Sequence, residues 1–385
     1  MISFCESIET MPAAARLQKA LAKDHTNGLG QLKKTDGTLT ADTEETLRVL
    51  MDTHFPGSTI KNEEHWEQKG GRRSTSRELN TAYRLSTQIF TPSVILWAIN
   101  TFQPYKSPGP DGVQPILLQK SAEIIMAEIT KLLRSSFTLG FIPGCWREVK
   151  VIFIPKAGKR DTTLPKAFRP ISLTSTILKL MEKILDNHIR TEHLHASPLN
   201  KHQFAYQGGK STETALHTLV TLIENSLRYK ETALCAFIDI EGAFDNTSYT
   251  SISRALQQRR LHKPTIDWIL SMLDSRRISA TLGGSKITVA AVKGCPQGGV
   301  LSPLLWSLVV DELLNNLANM GFEAVGYADD VVLVVRGKYE EVISDRLQSA
   351  LNFTKRWCVN EGLNINPEKT VIVPFTKRRN ISAII

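Results

Sequence analysis

Val325-Gly-Tyr-Ala-Asp-Asp-Val-Val-Leu-Val-Val335 sets two adjacent carboxylates, Asp329 and Asp330, between two short apolar strands, Val325 to Tyr327 and Val331 to Val335. Asp-Asp is a poor sequence for a tight hairpin, because the primed turns that join antiparallel strands need positive φ and favour Asn-Gly or Asp-Gly. Something other than turn chemistry therefore selects the pair. About 90 residues earlier, Ala233-Leu-Cys-Ala-Phe-Ile-Asp-Ile240 reads as a buried, near-continuously apolar strand with a third carboxylate, Asp239, near its end. A carboxylate there is costly unless a partner compensates it. A divalent cation would compensate both places together. Two Mg²⁺ ions roughly 3.5–4 Å apart, bridged by carboxylates, stabilise the attacking and leaving oxygens of an in-line displacement at phosphorus. Magnesium suits because it takes oxygen ligands and leaves room for substrate phosphates. Taken singly, Asp329-Asp330 also reads as a solvated turn and Asp239 as a strand-end helix cap; their combination favours two-metal phosphoryl transfer.

At 385 residues the chain exceeds one ordinary domain, so two or three subdomains are expected. No segment approaches about 18 uninterrupted apolar residues and the N-terminus lacks a signal-peptide pattern, which leads us to expect a soluble intracellular protein with no membrane association. Five scattered cysteines, Cys5, Cys145, Cys235, Cys295 and Cys358, form no Cys-x-x-Cys and are expected to be free thiols rather than disulfides or a zinc site. His193 and His195 read as a surface loop in preference to metal ligands. The formal charge of +9 is uneven: residues 91–230 carry 18 basic against 10 acidic side chains, whereas 1–90 balance and 231–385 exceed balance by one. Lys150, Lys156, Lys159, Arg160, Lys166 and Arg169 fall in twenty residues opposed only by Asp161, the footprint of a phosphate-binding surface or of a basic solvated loop.

Residues 1–90 mix short helical signals with polar loops, including Gly28 to Gly37 and Gly70 to Ser76. Ser93 to Thr101 reads as a helix with Val94, Trp97 and Ala98 on one face, closed by the breaker run Lys106-Ser-Pro-Gly-Pro-Asp-Gly112. Two helical stretches over 115–139, a basic hairpin over 149–170, and a helix from Ile171 to Ile189 with a core stripe of Ile177, Leu180, Met181, Ile184 and Leu185 follow. Further on come helices at 248–260 and 264–275, and a hairpin around Gly283-Gly284. Ser302-Pro303 reads as an N-cap and first-turn pair opening a helix that ends at Gly321. Val342 to Cys358 is an amphipathic helix with Ile343, Leu347, Ala350, Leu351 and Trp357 inward, stopped at Gly362. Strands separated by helices, with hairpins inserted, indicate an α+β fold.

Read together, seven segments in order resemble the reverse transcriptase of a non-LTR (LINE-type) retrotransposon, most like the Jockey group. They are Lys106-Ser-Pro-Gly-Pro-Asp-Gly112, Phe168-Arg-Pro-Ile-Ser-Leu173, Gln203-Phe-Ala-Tyr-Gln-Gly-Gly-Lys-Ser-Thr212, Phe237-Ile-Asp-Ile-Glu-Gly-Ala-Phe-Asp245, Gly294-Cys-Pro-Gln-Gly-Gly-Val-Leu-Ser-Pro303, Tyr327-Ala-Asp-Asp330 and Gly362-Leu-Asn-Ile-Asn-Pro-Glu-Lys-Thr370. A lone Tyr-x-Asp-Asp is weak evidence; the ordered set is specific.

The resemblance implies a right-hand polymerase with an antiparallel palm sheet packed on helices. Residues 1–95 would be an N-terminal extension or linker, 96–230 the fingers, and 231–385 the palm, with some fingers elements in 246–292. The chain would stop before a thumb, and no endonuclease would precede it, although 28–55 resemble the linker that follows one. Asp239, Asp329 and the Ile240 carbonyl would hold two Mg²⁺ ions, with Mn²⁺ as an alternative, and Asp330 would assist. Asp245 would be structural or catalytic. Phe244 would be the steric gate against a 2′-hydroxyl, compatibly with a core role. Gln297 and Gly298 would face the incoming nucleotide, Lys156 and Arg169 would clamp its triphosphate, and Lys369 would protonate the pyrophosphate or be a surface lysine. The implied partners are an RNA template, a DNA primer or target, and dNTP, in the cytoplasm and nucleus. Rival readings are a noncatalytic nucleic-acid-binding remnant and another palm-type nucleotidyl transferase such as a cyclase.

Overall fold

A computed structural model describes residues 29–60, 75–158, 161–274 and 276–378. Cys5, Gly28, residues 70–74, Lys159 and Arg160, all singled out above, lie outside the described residues. The chain runs through α1 (Thr43–His54), β1 (Thr59–Ile60), α2 (Ser76–Ile89), α3 (Pro92–Asn100) and α4 (Pro115–Leu139). Next come β2 (Glu148–Pro155), β3 (Phe168–Leu173), α5 (Thr176–His188), α6 (Thr212–Arg228) and β4 (Thr232–Glu241). Then α7 (Tyr249–Gln258) and α8 (Lys263–Asp274) lead to β5 (Arg277–Leu282) and β6 (Ser285–Ala290). The last elements are α9 (Ser302–Asn319), β7 (Glu323–Tyr327), β8 (Asp330–Gly337), α10 (Glu340–Asn360), β9 (Asn364–Ile365) and β10 (Val371–Phe375).

Several local differences from the sequence reading have physical causes. The two helical stretches over 115–139 form one helix, because no Gly or Pro interrupts them until Gly140 closes α4 in the left-handed region at φ +62°. Ile171 to Leu173 extend β3 instead of opening a helix, since they pair with Ile152 to Lys150 of β2; α5 starts afterwards, capped by Ser175. Ser302 is not the N-cap of α9. Leu301 holds that place, and the Ser302 hydroxyl donates to the Pro296 carbonyl at 2.8 Å. On α3 the buried face is Ile95, Ala98 and Ile99; Trp97 is exposed, with the Lys183 ammonium over its ring. His193 belongs to a helical continuation of α5 rather than a loop, its ring 5.7 Å from those of His188 and His262.

Two sheets organise the molecule. The first has the order β1-β6-β5-β2-β3, antiparallel except for the parallel pair β2 and β5. Leu47 and Met51 of α1 pack on Val149, Val151, Ile278 and Val289 of this sheet, so residues 43–60 share its core. The second has the order β10-β4-β8-β7, all antiparallel, with β9 paired to the end of β4. The main hydrophobic core lies against it, and α9 supplies Leu304, Leu305, Trp306, Val309, Leu313 and Leu317. Burying each such side chain contributes about 1.5–3 kcal/mol. An antiparallel sheet on helices, beside a second mixed sheet, is the α+β arrangement expected. Among the described residues, no helix is long and apolar enough to cross a membrane.

Candidate active site

The apolar run of β4 is what brings the carboxylates together. Its residues pair with β8 in a register that sets Ala236 against Leu333, Ile238 against Val331 and, at the strand end, Asp239 against Asp330. One residue beyond, the Ile240 N–H donates to the Asp329 carbonyl at 3.1 Å. Tyr327 pairs with Asp330 across β7 and β8, so the two-residue turn is Ala328-Asp329 and Asp330 is already in the strand. Ala328 has φ +55° while Asp329 does not share the positive sign, the pattern of a II′ turn with alanine where glycine is favoured. The indole N–H of Trp306 donates to the carbonyl of this residue at 2.7 Å.

Charge at this edge is uncompensated by its own strands. Burial, then the neighbouring Asp329 and Asp239 carboxylates, push the Asp330 carboxyl above its ordinary range, while Lys369 opposes them. The Lys369 ammonium sits 2.9 Å from Asp239 Oδ2, and that hydrogen bond holds its pKa above the usual lysine value. Asn366 donates its backbone N–H to the Asp239 carbonyl at 3.0 Å and accepts the Lys369 N–H on its side chain, which fixes the Gly362 to Thr370 segment here. The donors are all oxygen, the set that suits a hard divalent cation, and their mutual repulsion is what such a cation relieves. Among the described residues, no group of three His, Cys, Asp or Glu side chains is placed to hold a metal ion by itself. Asp239, Asp329 and the Ile240 carbonyl are oxygen donors of the type Mg²⁺ takes, and would hold it only together with further oxygens.

A pinned loop, Gly294 to Val300, is tied to the turn after β4 by the Cys295 N–H on the Phe244 carbonyl at 2.6 Å. Burial pushes the Asp245 carboxyl up to about 7, and its Oδ2 accepts the Gln297 side-chain amide at 2.7 Å. The Gln297 NH₂ is thus committed to Asp245 instead of being free to face a nucleotide, which assigns Asp245 a holding role. Ser172 at the end of β3 donates to the Gln297 carbonyl at 2.7 Å. Gly298 next to it has φ +109°, and a Cβ there would stand 2.9 Å from the Ser172 carbonyl, so only glycine fits. Val300 N–H reaches Glu182 Oε2 on α5 at 2.8 Å, and burial raises the Glu182 carboxyl to about 7. The Lys106 to Gly112 motif steadies the same helix: Asp111 Oδ2 accepts the Thr176 N–H at 3.1 Å.

Phe244 lies on a helical turn, Ala243–Asn246, directly after β4, with its ring 6.3 Å from Tyr206 and 6.4 Å from Trp306. Tyr206 carries φ +60°, unusual for a bulky residue, and the Arg190 guanidinium bonds its carbonyl at 2.9 Å. Lys156 extends β2, its N–H on the Ala167 carbonyl and its ammonium on the Lys166 carbonyl, both at 2.8 Å; its charge is felt by Asp245. Arg169 is exposed on β3, paired with Ile154 and three residues from Ser172. The fold thus gathers Asp239, Ile240, Asp329, Asp330 and Lys369 at one strand end, with Phe244 directly following in sequence, and ties Gln297 and Gly298 to β3. Arg169 is linked to this group only through its strand. A cavity of about 230 Å³ elsewhere, lined by Arg77, Phe137, Gly140 and Lys263 among others, contains none of the motif residues.

Sequence reasoning missed Trp306, Glu182, Asn366 and Tyr206. Trp306 and Glu182 lie on helices that read as core, so the signal available was an indole N–H and a carboxyl on otherwise apolar faces, each needing a partner.

Comparison with known proteins identifies the family. The family model described as reverse transcriptase (RNA-dependent DNA polymerase) matches residues 154–381. The chain is 27% identical over 280 residues to the RNA-directed DNA polymerase from mobile element jockey of Drosophila melanogaster, covering 71% of this chain and 30% of that protein. It is 28% identical over 332 residues to a probable RNA-directed DNA polymerase from transposon BS of the same species, covering 84% and 35%. The chain thus spans about a third of the length of these curated relatives. A solved structure of apo telomerase from Candida tropicalis, truncated from its C-terminal domain, has a TM-score of 0.43 at 13% identity, covering 68% of this chain and 56% of that one. With more than half of its length in the family model, the chain belongs to the reverse transcriptase family.

Proposed function

We propose that this chain is an RNA-directed DNA polymerase domain that joins a deoxynucleoside triphosphate to a primer 3′-hydroxyl on an RNA template. The register of β4 and β8 carries the reading, because it sets Asp239 beside Asp330 and bonds Ile240 to Asp329. In the right-hand scheme the second sheet with its helices is the palm, over 231–385. Residues 96–230 with the β5 and β6 hairpin are assigned to the fingers, and 1–95 to an N-terminal extension of which 43–60 pack on the fingers sheet.

Mg²⁺ held by Asp239, Asp329 and the Ile240 carbonyl, with Asp330 assisting and Mn²⁺ as a substitute, would acidify the primer hydroxyl and neutralise charge on the leaving pyrophosphate. Lys369, kept protonated by its bond to Asp239, is the proton source for that leaving group. Lys156 and Arg169 attract the triphosphate, Arg169 with the forked geometry that matches phosphate oxygens. Gln297, held by Asp245, offers its amide oxygen and the adjoining Gly298 backbone to the nucleotide. Phe244 fills the space a 2′-hydroxyl would need. Template sequence is read by base pairing, so protein contacts fall on backbone and shape.

Primer extension on RNA with Mg²⁺ tests this, run beside Asp329→Asn. Wild-type extension that the substitution abolishes supports it; RNA binding without extension would leave a noncatalytic remnant, and product from nucleotide alone would indicate a cyclase. In the same assay Phe244→Ala is expected to raise incorporation of ribonucleotides relative to deoxynucleotides by about tenfold or more. Unchanged sugar discrimination would remove the gate assignment.

A further inference from the structure

The peptide groups on both sides of Asp329 are held, but by different means. The one after it is bonded by β4, through Ile240 N–H to the Asp329 carbonyl at 3.1 Å. The one before it is bonded by a side chain, the Trp306 indole N–H to the Ala328 carbonyl at 2.7 Å. Ala328 stands at φ +55°, a conformation an alanine adopts only when its surroundings impose it. The same indole ring lies 6.4 Å from the ring of Phe244, which in turn meets Tyr206 nearly edge-on at 6.3 Å. Trp306 also rides on α9, whose first residue is tied by its hydroxyl to Pro296 of the nucleotide-facing loop.

Packing alone does not require this side chain. Its neighbours Leu304, Leu305, Leu308 and Val309 are buried aliphatics, and an apolar residue of similar size would fill the same space. What an apolar residue lacks is the donor. Trp268 provides the internal contrast: equally buried, with its N–H on the Ser136 hydroxyl at 3.1 Å, it joins α8 to α4 rather than to any carboxylate or loop of the site.

We infer that Trp306 is a positioning residue that couples the sugar gate to the acidic turn, its N–H fixing the peptide plane ahead of Asp329 while its ring backs Phe244. This rests on the polymerase reading above. Seating of a deoxyribose against Phe244 and alignment of Asp329 then depend on one rigid indole, so a displaced gate ring disturbs the carboxylate.

The test compares Trp306→Phe with Trp268→Phe in primer extension on RNA. Each variant loses one buried indole hydrogen bond. Trp306→Phe is expected to lower kcat about tenfold and to raise the Mg²⁺ concentration for half-maximal rate, leaving the dNTP KM and sugar selectivity nearly unchanged because a ring remains. Trp268→Phe is expected to lower the melting temperature with kcat and Mg²⁺ requirement intact. Trp306→Leu, lacking both donor and ring, is expected to add a loss of sugar selectivity. If Trp306→Phe fails to fold, benzothiophene replacing the indole at position 306 keeps its shape without the N–H and should show the same kcat and Mg²⁺ effects. Wild-type kcat and Mg²⁺ dependence in the folded donor-less variant would overturn the coupling. No extension by the wild-type chain would instead overturn the polymerase reading beneath it.

Discussion

At the acidic edge of the second sheet the backbone beside the carboxylates is tied by hydrogen bonds, whereas the basic residues of the first sheet reach out from their backbone into solvent. Asp239 has its carbonyl bonded by Asn366, Asp329 has its carbonyl bonded by Ile240, and Ala328 before it is bonded by Trp306. On the first sheet Arg169 is exposed at a strand position, and Lys166 pairs with Glu241 at 2.8 Å while its side chain stays largely in solvent. The difference follows from the two tasks. On the proposed reading, Mg²⁺ would demand near-octahedral oxygen placement at about 2.0–2.1 Å, which carboxylates built into backbone pairing suit. Attraction of phosphate acts through a field that tolerates mobile cations. Changes at the acidic edge should therefore appear in rate, and changes on the basic strands in affinity and salt response.

The sharpest way to break that contrast is Asp239→Asn. It removes one carboxylate and frees Lys369, and extension rate is expected to fall at least about 100-fold. Stability should move within about 1 kcal/mol, since the lost Asp239 and Lys369 pair is half exposed and its loss relieves repulsion on Asp330. A variant that extends within tenfold of wild type would remove Asp239 from the chemistry. A smaller effect is expected for Arg169→Ala. The KM for dNTP should rise about tenfold with kcat within a few-fold, and the salt dependence of nucleic-acid binding should become shallower. A collapse of kcat at unchanged KM would instead place Arg169 with the reacting atoms.

How legible these two regions were in the sequence follows the same division. That Asp239 belongs with Asp329 and Asp330 could be read because each stands at an apolar run where a carboxylate needs a partner, although the register joining β4 to β8 could not. Phe244 and the Gly294 to Pro303 loop could be read only through resemblance, because a phenylalanine or a glycine turn has no chemistry of its own. The joining of β1, β5 and β6 to β2 was not legible, since pairing between strands so far apart in sequence leaves no local pattern. α6 was passed over although Ser211 and Thr214 form a capping box at its start. The bond from the Gln297 amide to Asp245 was not legible, because the two are distant in sequence and adjacent only in the fold. Trp306 is the extreme case: on a helix of leucines and valines its ring reads as core, and its one polar atom decides its role.

The smallest expected effect concerns the seam between the regions, where carboxyl groups are held neutral rather than ionised. Glu182 Oε2 accepts the Val300 N–H while Oε1 is buried without a partner, and burial lifts the carboxyl to about 7 against the opposing charges of Lys179 and Arg276, with Asp186 adding to the rise. In the unfolded chain the same group titrates near the ordinary glutamate value of about 4.3. Between these values the folded state holds the extra proton, so the stability this carboxyl contributes is fully present below the unfolded pKa and is lost as pH rises through the folded one. Glu182→Gln keeps an acceptor for Val300 and cannot ionise. Its melting temperature relative to wild type is therefore expected to rise by a few degrees as pH is taken from about 5 to about 8. Asp245, lifted to about 7 by the same cause, should leave a residual slope in both proteins. Parallel melting curves would mean that Glu182 is ionised throughout, and the loop would then be anchored by a charge like those at the acidic edge. A pH-dependent difference instead marks Glu182 as a buried carboxyl whose raised pKa accompanies its hold on a backbone N–H.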